Sequence, residues 1–208
     1  MSFPVNLDLP FAHLNLRFNP FGELEPQTRA ELAVVSLEDL PRQLQQQRLA
    51  VEFVGPHGHG KSTHLLALHA LFAEAPYLKL YPDSTPDFAG APLLFVDSIE
   101  HLPRRRRQRL YRRAKTLALT THDSLQPELE RAGYTVCTRH VDSTDAATIA
   151  ELVRRRIEHA RRAPGPLPDV DAAGIDRLKA RFGGNIRAIE NCLYDIFQTL
   201  DRPRHVEV

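Results

Sequence analysis

Nine residues, GPHGHGKST at 55–63, carry the densest chemistry in the chain. They fit the spacing G-x-x-x-x-G-K-[ST] through Gly55, Gly60, Lys61 and Ser62. Pro56, His57, Gly58 and His59 fill the variable places, and Thr63 follows. Glycines here let the backbone curl so that successive N–H groups face one point, which suits phosphate oxygens. A helix opening at Lys61 adds the positive end of its dipole. The Lys61 ammonium is then placed to reach terminal phosphates, and the Ser62 hydroxyl to help hold Mg2+. Segment 55–63 is therefore expected to bind a nucleoside triphosphate. A metal reading of His57, His59 and His64 is the weaker one, because the variable positions of such loops present backbone rather than side chains to the ligand.

Three further groups could join this chemistry. PLLFVDSIEHL, residues 92–102, is an apolar strand ending in Asp97, which would deliver a rigid carboxylate to the Mg2+. YLKLYPD, ending in Asp83, is the poorer match because Lys79 and Pro82 interrupt it. Thr120, Thr121 and His122 close another strand, and Thr121 is nominated to orient the attacking water or touch the terminal phosphate, although threonine at a strand end is also commonplace. GGNIR at 183–187 opens the last helix with Arg187 off its apolar stripe, free to stabilise phosphate charge.

Regular alternation must position these groups. Strands are expected at 50–54, 77–81, 93–97, 116–121 and 134–141, with helices at 61–74, 103–115 and 124–132 between them. That order implies a three-layer α/β core with a five-strand parallel sheet. After residue 142 the strands stop, and helices at 144–162, 170–181 and 185–200 form a small C-terminal three-helix lid. The expected organisation is an N-terminal extension at 1–49 packing on the core, the α/β core at 50–142, and the lid with a short tail at 143–208. Residues 1–26 are proline-punctuated yet rich in apolar side chains, and 28–48 mixes helix and strand signals.

Composition narrows the setting. The 208 residues are 42% hydrophobic and 25% charged with a net charge of +1, which suits a soluble globular chain without a global preference for nucleic acid. No window is long and apolar enough for a membrane span. The start, MSFPVNLDLPF, lacks the pattern of a signal peptide. Cys137 and Cys192 read as small core residues in a reducing compartment, so a cytoplasmic location is expected. The strongest charge patch is PRRRRQRLYRRAK at 103–115. Arg104–Arg113 could grip a phosphate backbone, meet an acidic partner, or form a solvated face.

Taken in order, the phosphate loop, the Asp97 strand, the polar strand end and the helical G-x-x-R resemble the AAA+ ATPase superfamily. The likeness covers about residues 17–200 and is nearest to the bacterial initiator, origin-recognition, secretion and transposition branches. The resemblance implies ATP with Mg2+ as ligand and cofactor, held by residues 55–63, Ser62 and Asp97, with hydrolysis coupled to a protein partner or homo-oligomer. RFNPFGEL at 17–24 resembles a segment that packs near adenine in some relatives, which nominates Asn19, Pro20 and Phe21. Two departures stand out. The family's water-activating glutamate follows the strand aspartate directly, whereas here Ser98 holds that place and Glu100 comes two residues later. No clear arginine finger is present, Arg131 being nearest to its usual position. The alternatives are an ATP-gated adaptor that does not hydrolyse, and a P-loop phosphotransferase.

Overall fold

The computed structural model describes residues 10–86 and 90–206. The start of the proline-rich opening, part of the loop after the second strand and the last two residues of the tail lie outside the described residues. The chain folds as two compact units, Glu25–Ser143 and the combination of Met1–Leu24 with Thr144–Val208.

In the first unit, α1 (Pro26–Glu31) and α2 (Leu40–Gln43) each carry a proline in the opening turn, where its missing N–H costs nothing. Residues 33–37 between them adopt no regular structure, so the ambiguous AELAVVSL run yields one short helix end and no strand. The sheet then forms from β1 (Leu49–Val54), β2 (Tyr77–Lys79), β3 (Leu93–Asp97), β4 (Thr116–Thr121) and β5 (Thr135–His140). Helix α3 (Lys61–His69) links β1 to β2, α4 (Arg104–Arg113) links β3 to β4, and α5 (Gln126–Arg131) links β4 to β5. All pairings are parallel, in the order β2-β3-β4-β1-β5. β1 and β4 are buried along their whole length, which is why they read as near-continuous apolar runs.

Strand parity sorts the side chains into two cores. Val51, Phe53, Phe95 and Ala118 pack with Leu65 and Leu68 of α3 and with Leu40 of α2. Ala50, Leu94, Val96, Leu117 and Leu119 pack on the opposite face with Leu110 and Tyr111 of α4 and Leu129 of α5. The sheet is thus the middle of three layers.

The second unit contains α6 (Ala146–Ala160), α7 (Ala172–Phe182) and α8 (Ile186–Thr199). Asp145, Asp171 and Asn185 cap them by accepting the N–H of Thr148, Gly174 and Ala188. Their apolar stripes share one core with Leu14, Leu16 and Phe21. The expected 1–49 extension is therefore divided. Its apolar opening finds partners among the helices, and only residues from Glu25 onward belong with the α/β unit. Asn19 closes a turn, accepting from Phe21 N at 3.0 Å with its side chain while its carbonyl accepts from Gly22 N. Arg156 of α6, only 5% exposed, donates at 2.6 Å to the carbonyls of both Pro20 and Gly22.

Candidate nucleotide site

The C-terminal edge of the sheet is where parallel α/β folds bind ligands. Register aligns that edge here: Val54 lies opposite Thr121 and His140, and Lys79 opposite Asp97. The loop 55–60 leaves from the central strand. A Cβ at Gly55 would sit 2.2 Å from the Val141 carbonyl oxygen, so only glycine fits. Gly58 and Gly60 take positive φ of 82° and 92° and turn the chain into α3. Among the described residues no side chain caps α3 and its first turn holds no acidic residue, an arrangement that suits an anion at its opening N–H groups. Lys61 is 8% exposed and folds back over the loop, donating to Gly55 O at 2.6 Å and Pro56 O at 2.9 Å. Thr63 is half-buried in the same first turn.

Asp97 is the anchor below this loop, 2% exposed at the end of β3. Its Oδ1 accepts from Ser62 Oγ at 2.8 Å and from Thr120 Oγ1 at 2.7 Å. Thr120 in turn accepts from Ser98 N at 2.7 Å. Parity explains the set, because Asp97, Thr120 and Tyr77 all face α3, which supplies Ser62. Tyr77 is half-buried with its hydroxyl covered, and its phenol pKa is raised by desolvation and then by the Asp97 charge. Thr121 faces the other side of the sheet and donates to Asp123 O at 2.9 Å, closing the turn after β4.

Ser98 adopts a left-handed conformation (φ 62°), followed by a single 3-10 turn, Ile99–His101. This reversal brings Glu100 back to the sheet edge, with Oε1 3.3 Å from Nδ1 of His122. The other oxygen, Oε2, is buried without a hydrogen-bond partner among the described residues. The His122 ring lies 3.8 Å from that of His57 in the phosphate loop. Three loops therefore converge through Glu100, His122 and His57. His59 Nδ1 donates to His57 O at 2.9 Å, and His64 Nδ1 to Gly60 O at 3.0 Å. Burial lowers the His64 pKa, opposed by that bond to Gly60.

No family model and no curated protein matches this chain. Solved structures do. Domain III of the replication initiation protein DnaA from Thermotoga maritima aligns with a TM-score of 0.56 at 11% identity, over 84% of this chain and 89% of that one. Cdc6p from Pyrobaculum aerophilum aligns with a TM-score of 0.59 at 13% identity, over 90% and 67%. Replication initiator DnaA bound to AMPPCP and single-stranded DNA aligns with a TM-score of 0.52 at 14% identity, over 84% and 66%. The chain has the AAA+ fold. At these identities the likeness concerns fold alone, and the chain spans about two thirds of the two longer structures.

Within the AAA+ fold, the residues expected from sequence are distributed unevenly. Gly55, Gly60, Lys61, Ser62 and Asp97 come together at one edge, and Glu100 approaches through the Ser98 turn. Thr121 does not meet Asp97. Arg187 is exposed at the second position of α8, in the helical unit. Asn19, Pro20 and Phe21 also belong to that unit, where Asn19 Nδ2 donates to Tyr194 O and Phe21 packs edge-on against Phe197. Thr120 and His122 are named from the sequence as part of the polar strand end, but the role there is assigned to Thr121 and the contacts of its two neighbours are missed. Glu52 is passed over, fully buried on β1 and accepting from Ser124 Oγ, Leu125 N and Thr138 Oγ1. That arrangement ties α5 and β5 to the central strand.

Proposed function

We propose that the chain binds ATP with Mg2+ on residues 55–63 and hydrolyses it, coupling nucleotide state to assembly or to a protein partner. The observation that carries this reading is the convergence of the Ser62 and Thr120 hydroxyls on one oxygen of buried Asp97, beneath a loop that admits no side chain at Gly55. A buried carboxylate is costly unless paired, and this one is held ready beside the helix opening. When bound, Mg2+ would neutralise charge on the phosphates. Ser62 and Asp97 would hold it directly or through water. Lys61 would exchange its loop carbonyls for terminal phosphate oxygens, while the N–H groups of residues 58–63 cradle the rest. Glu100 would orient the attacking water, its carboxylate fixed by His122. The polar role next to Asp97 passes from Thr121 to Thr120. Arg187 keeps its charge-stabilising role on the sequence resemblance.

Phosphate release from Mg·ATP by the parent, run beside Lys61→Ala and Glu100→Gln, tests this. Lys61→Ala should lose nucleotide binding. Glu100→Gln should keep binding and lose about two to four orders of magnitude in turnover. Parent turnover that persists in Lys61→Ala would overturn the assignment.

Ser98, standing directly after Asp97, favours a second reading as an ATP-gated adaptor. It requires nucleotide binding without phosphate release, and an unchanged size in solution when ATP is added. A phosphotransferase is less well supported, since α6–α8 follow the α/β unit rather than interrupt it. No helix among the described residues is long and apolar enough to cross a membrane. The free thiols of Cys137 and Cys192 accord with a cytoplasmic setting. Nucleic acid on the outer arginines of α4 remains part of the proposal, as does Arg131 as an arginine finger.

A further inference from the structure

Away from the nucleotide edge, α4 and α5 lie side by side on one face of the sheet and leave a groove between them. It encloses about 310 Å³ and is lined by Arg48, Arg104, Gln108, Arg112, Glu128 and Arg131. That volume is at the lower end of small-ligand pockets. Arg104, Gln108 and Arg112 form one stripe of α4 at i, i+4 and i+8. Arg131 ends α5, and Arg48 stands in the turn before β1.

Four guanidinium groups from three elements thus meet around one concavity. Its single carboxylate, Glu128, is already taken by Arg107 through two bonds of 3.0 and 2.8 Å. Burial alone would raise the Glu128 pKa, but the Arg107 bonds and charge outweigh it and leave the carboxyl below its ordinary value. Arg112 and Arg131 have no hydrogen bond or ion pair among the described residues. Arg48 is pre-positioned, donating to Tyr111 O at 3.3 Å and lying 5.2 Å over the Tyr134 ring.

The fold does not require this charge. Helix α4 opens with Arg104, Arg105 and Arg106 and no acidic residue in its first turn. Cations at that end oppose the helix dipole. The arginines therefore cost the helix stability, which a bound anion would return.

We propose that the α4–α5 groove is a binding site for a compact polyanion with two or more phosphate groups, gripped by Arg48, Arg104, Arg112 and Arg131. Planar guanidinium forks suit phosphate oxygens in pairs, and the Gln108 amide adds a neutral donor. The concavity favours a small multiply charged ligand over an extended backbone, which would lie on the outer arginines Arg105 and Arg109.

Titration calorimetry with inorganic tripolyphosphate, on the parent and on Lys61→Ala, separates this groove from the phosphate loop. Binding should survive in Lys61→Ala, weaken about tenfold in Arg112→Gln or Arg131→Gln, vanish in the double variant and fall as NaCl rises. Arg105→Gln, on the outer face of the same helix, should leave it unchanged. A melting curve like the parent's confirms that each variant is folded. The proposal is overturned if binding disappears with Lys61→Ala alone, or if Arg105→Gln weakens it as much as Arg112→Gln. It is equally overturned if tripolyphosphate does not bind while a single-stranded oligonucleotide does.

Discussion

At the scale of single residues, the two glycines framing the phosphate loop are needed for different reasons. At Gly55 the obstacle is space, since a Cβ would strike the Val141 carbonyl, and Val141 N is itself bonded to Val54 O at 2.7 Å. At Gly60 nothing among the described residues lies within 4 Å of a Cβ, and it is the backbone angle that disfavours other residues. Gly55→Ala should therefore push β1 and β5 apart and lower stability by about 3 kcal/mol. Gly60→Ala should cost about 1–2 kcal/mol, the penalty of a left-handed L-residue. Thermal melts of both variants check this, and equal losses would contradict the steric account. The two threonines at the end of β4 offer a sharper contrast. Thr120→Val removes a donor to Asp97 and an acceptor for Ser98 N, whereas Thr121→Val releases only the Asp123 carbonyl. Magnesium-dependent nucleotide binding should weaken about tenfold or more in the first and stay near the parent in the second. The reverse order would return the polar role to Thr121.

At the scale of elements, the first turn of α3 couples the site to pH. His64 packs 5.5 Å from Phe53 and its pKa lies below the ordinary 6.5, chiefly through burial. Below pH 6.5 the unfolded chain binds this proton more readily than the folded one, so stability falls as pH drops from about 6.5 toward the lowered folded value. Melting temperatures between pH 8 and pH 5 should decline less in His64→Gln than in the parent, and parallel curves would refute the assignment. β1, β3 and β4 were legible because each is a short, largely apolar run between turn residues, and their expected bounds lie within one residue of those observed. Register was not legible. That Asp97 meets Thr120 rather than Thr121 follows from Val96 pairing with Leu119, a fact no local pattern carries. Glu100 reaches His122 only because Ser98 turns left-handed, and serine gives no reliable sign of that.

At the scale of the whole molecule, the beginning and end of the chain build one unit that no stretch of sequence displays. Arg156 sits in the run RRRIE and reads as surface charge, yet it is buried against carbonyls of residues 20 and 22. Leu14 and Leu16 are fully buried and Phe21 nearly so, all in the core of α6–α8. Deleting residues 1–24 would strip these three side chains from the core and remove the Pro20 and Gly22 carbonyls that accept from Arg156, leaving its buried charge facing Glu190 at 3.7 Å. At about 1.5–3 kcal/mol for each buried side chain, the loss approaches the roughly 5–15 kcal/mol that stabilises a typical domain. The truncated chain should therefore lose hydrogen-exchange protection throughout α6, α7 and α8 while amides of β1 and β4 stay protected, because none of the described residues 10–24 contributes to the two cores of the sheet. Arg156→Met supplies the milder case, keeping the stem's packing and removing the charge. It should lower protection in α6 without abolishing it. Unchanged protection in the three helices after truncation would mean that the opening segment merely decorates a bundle stable by itself.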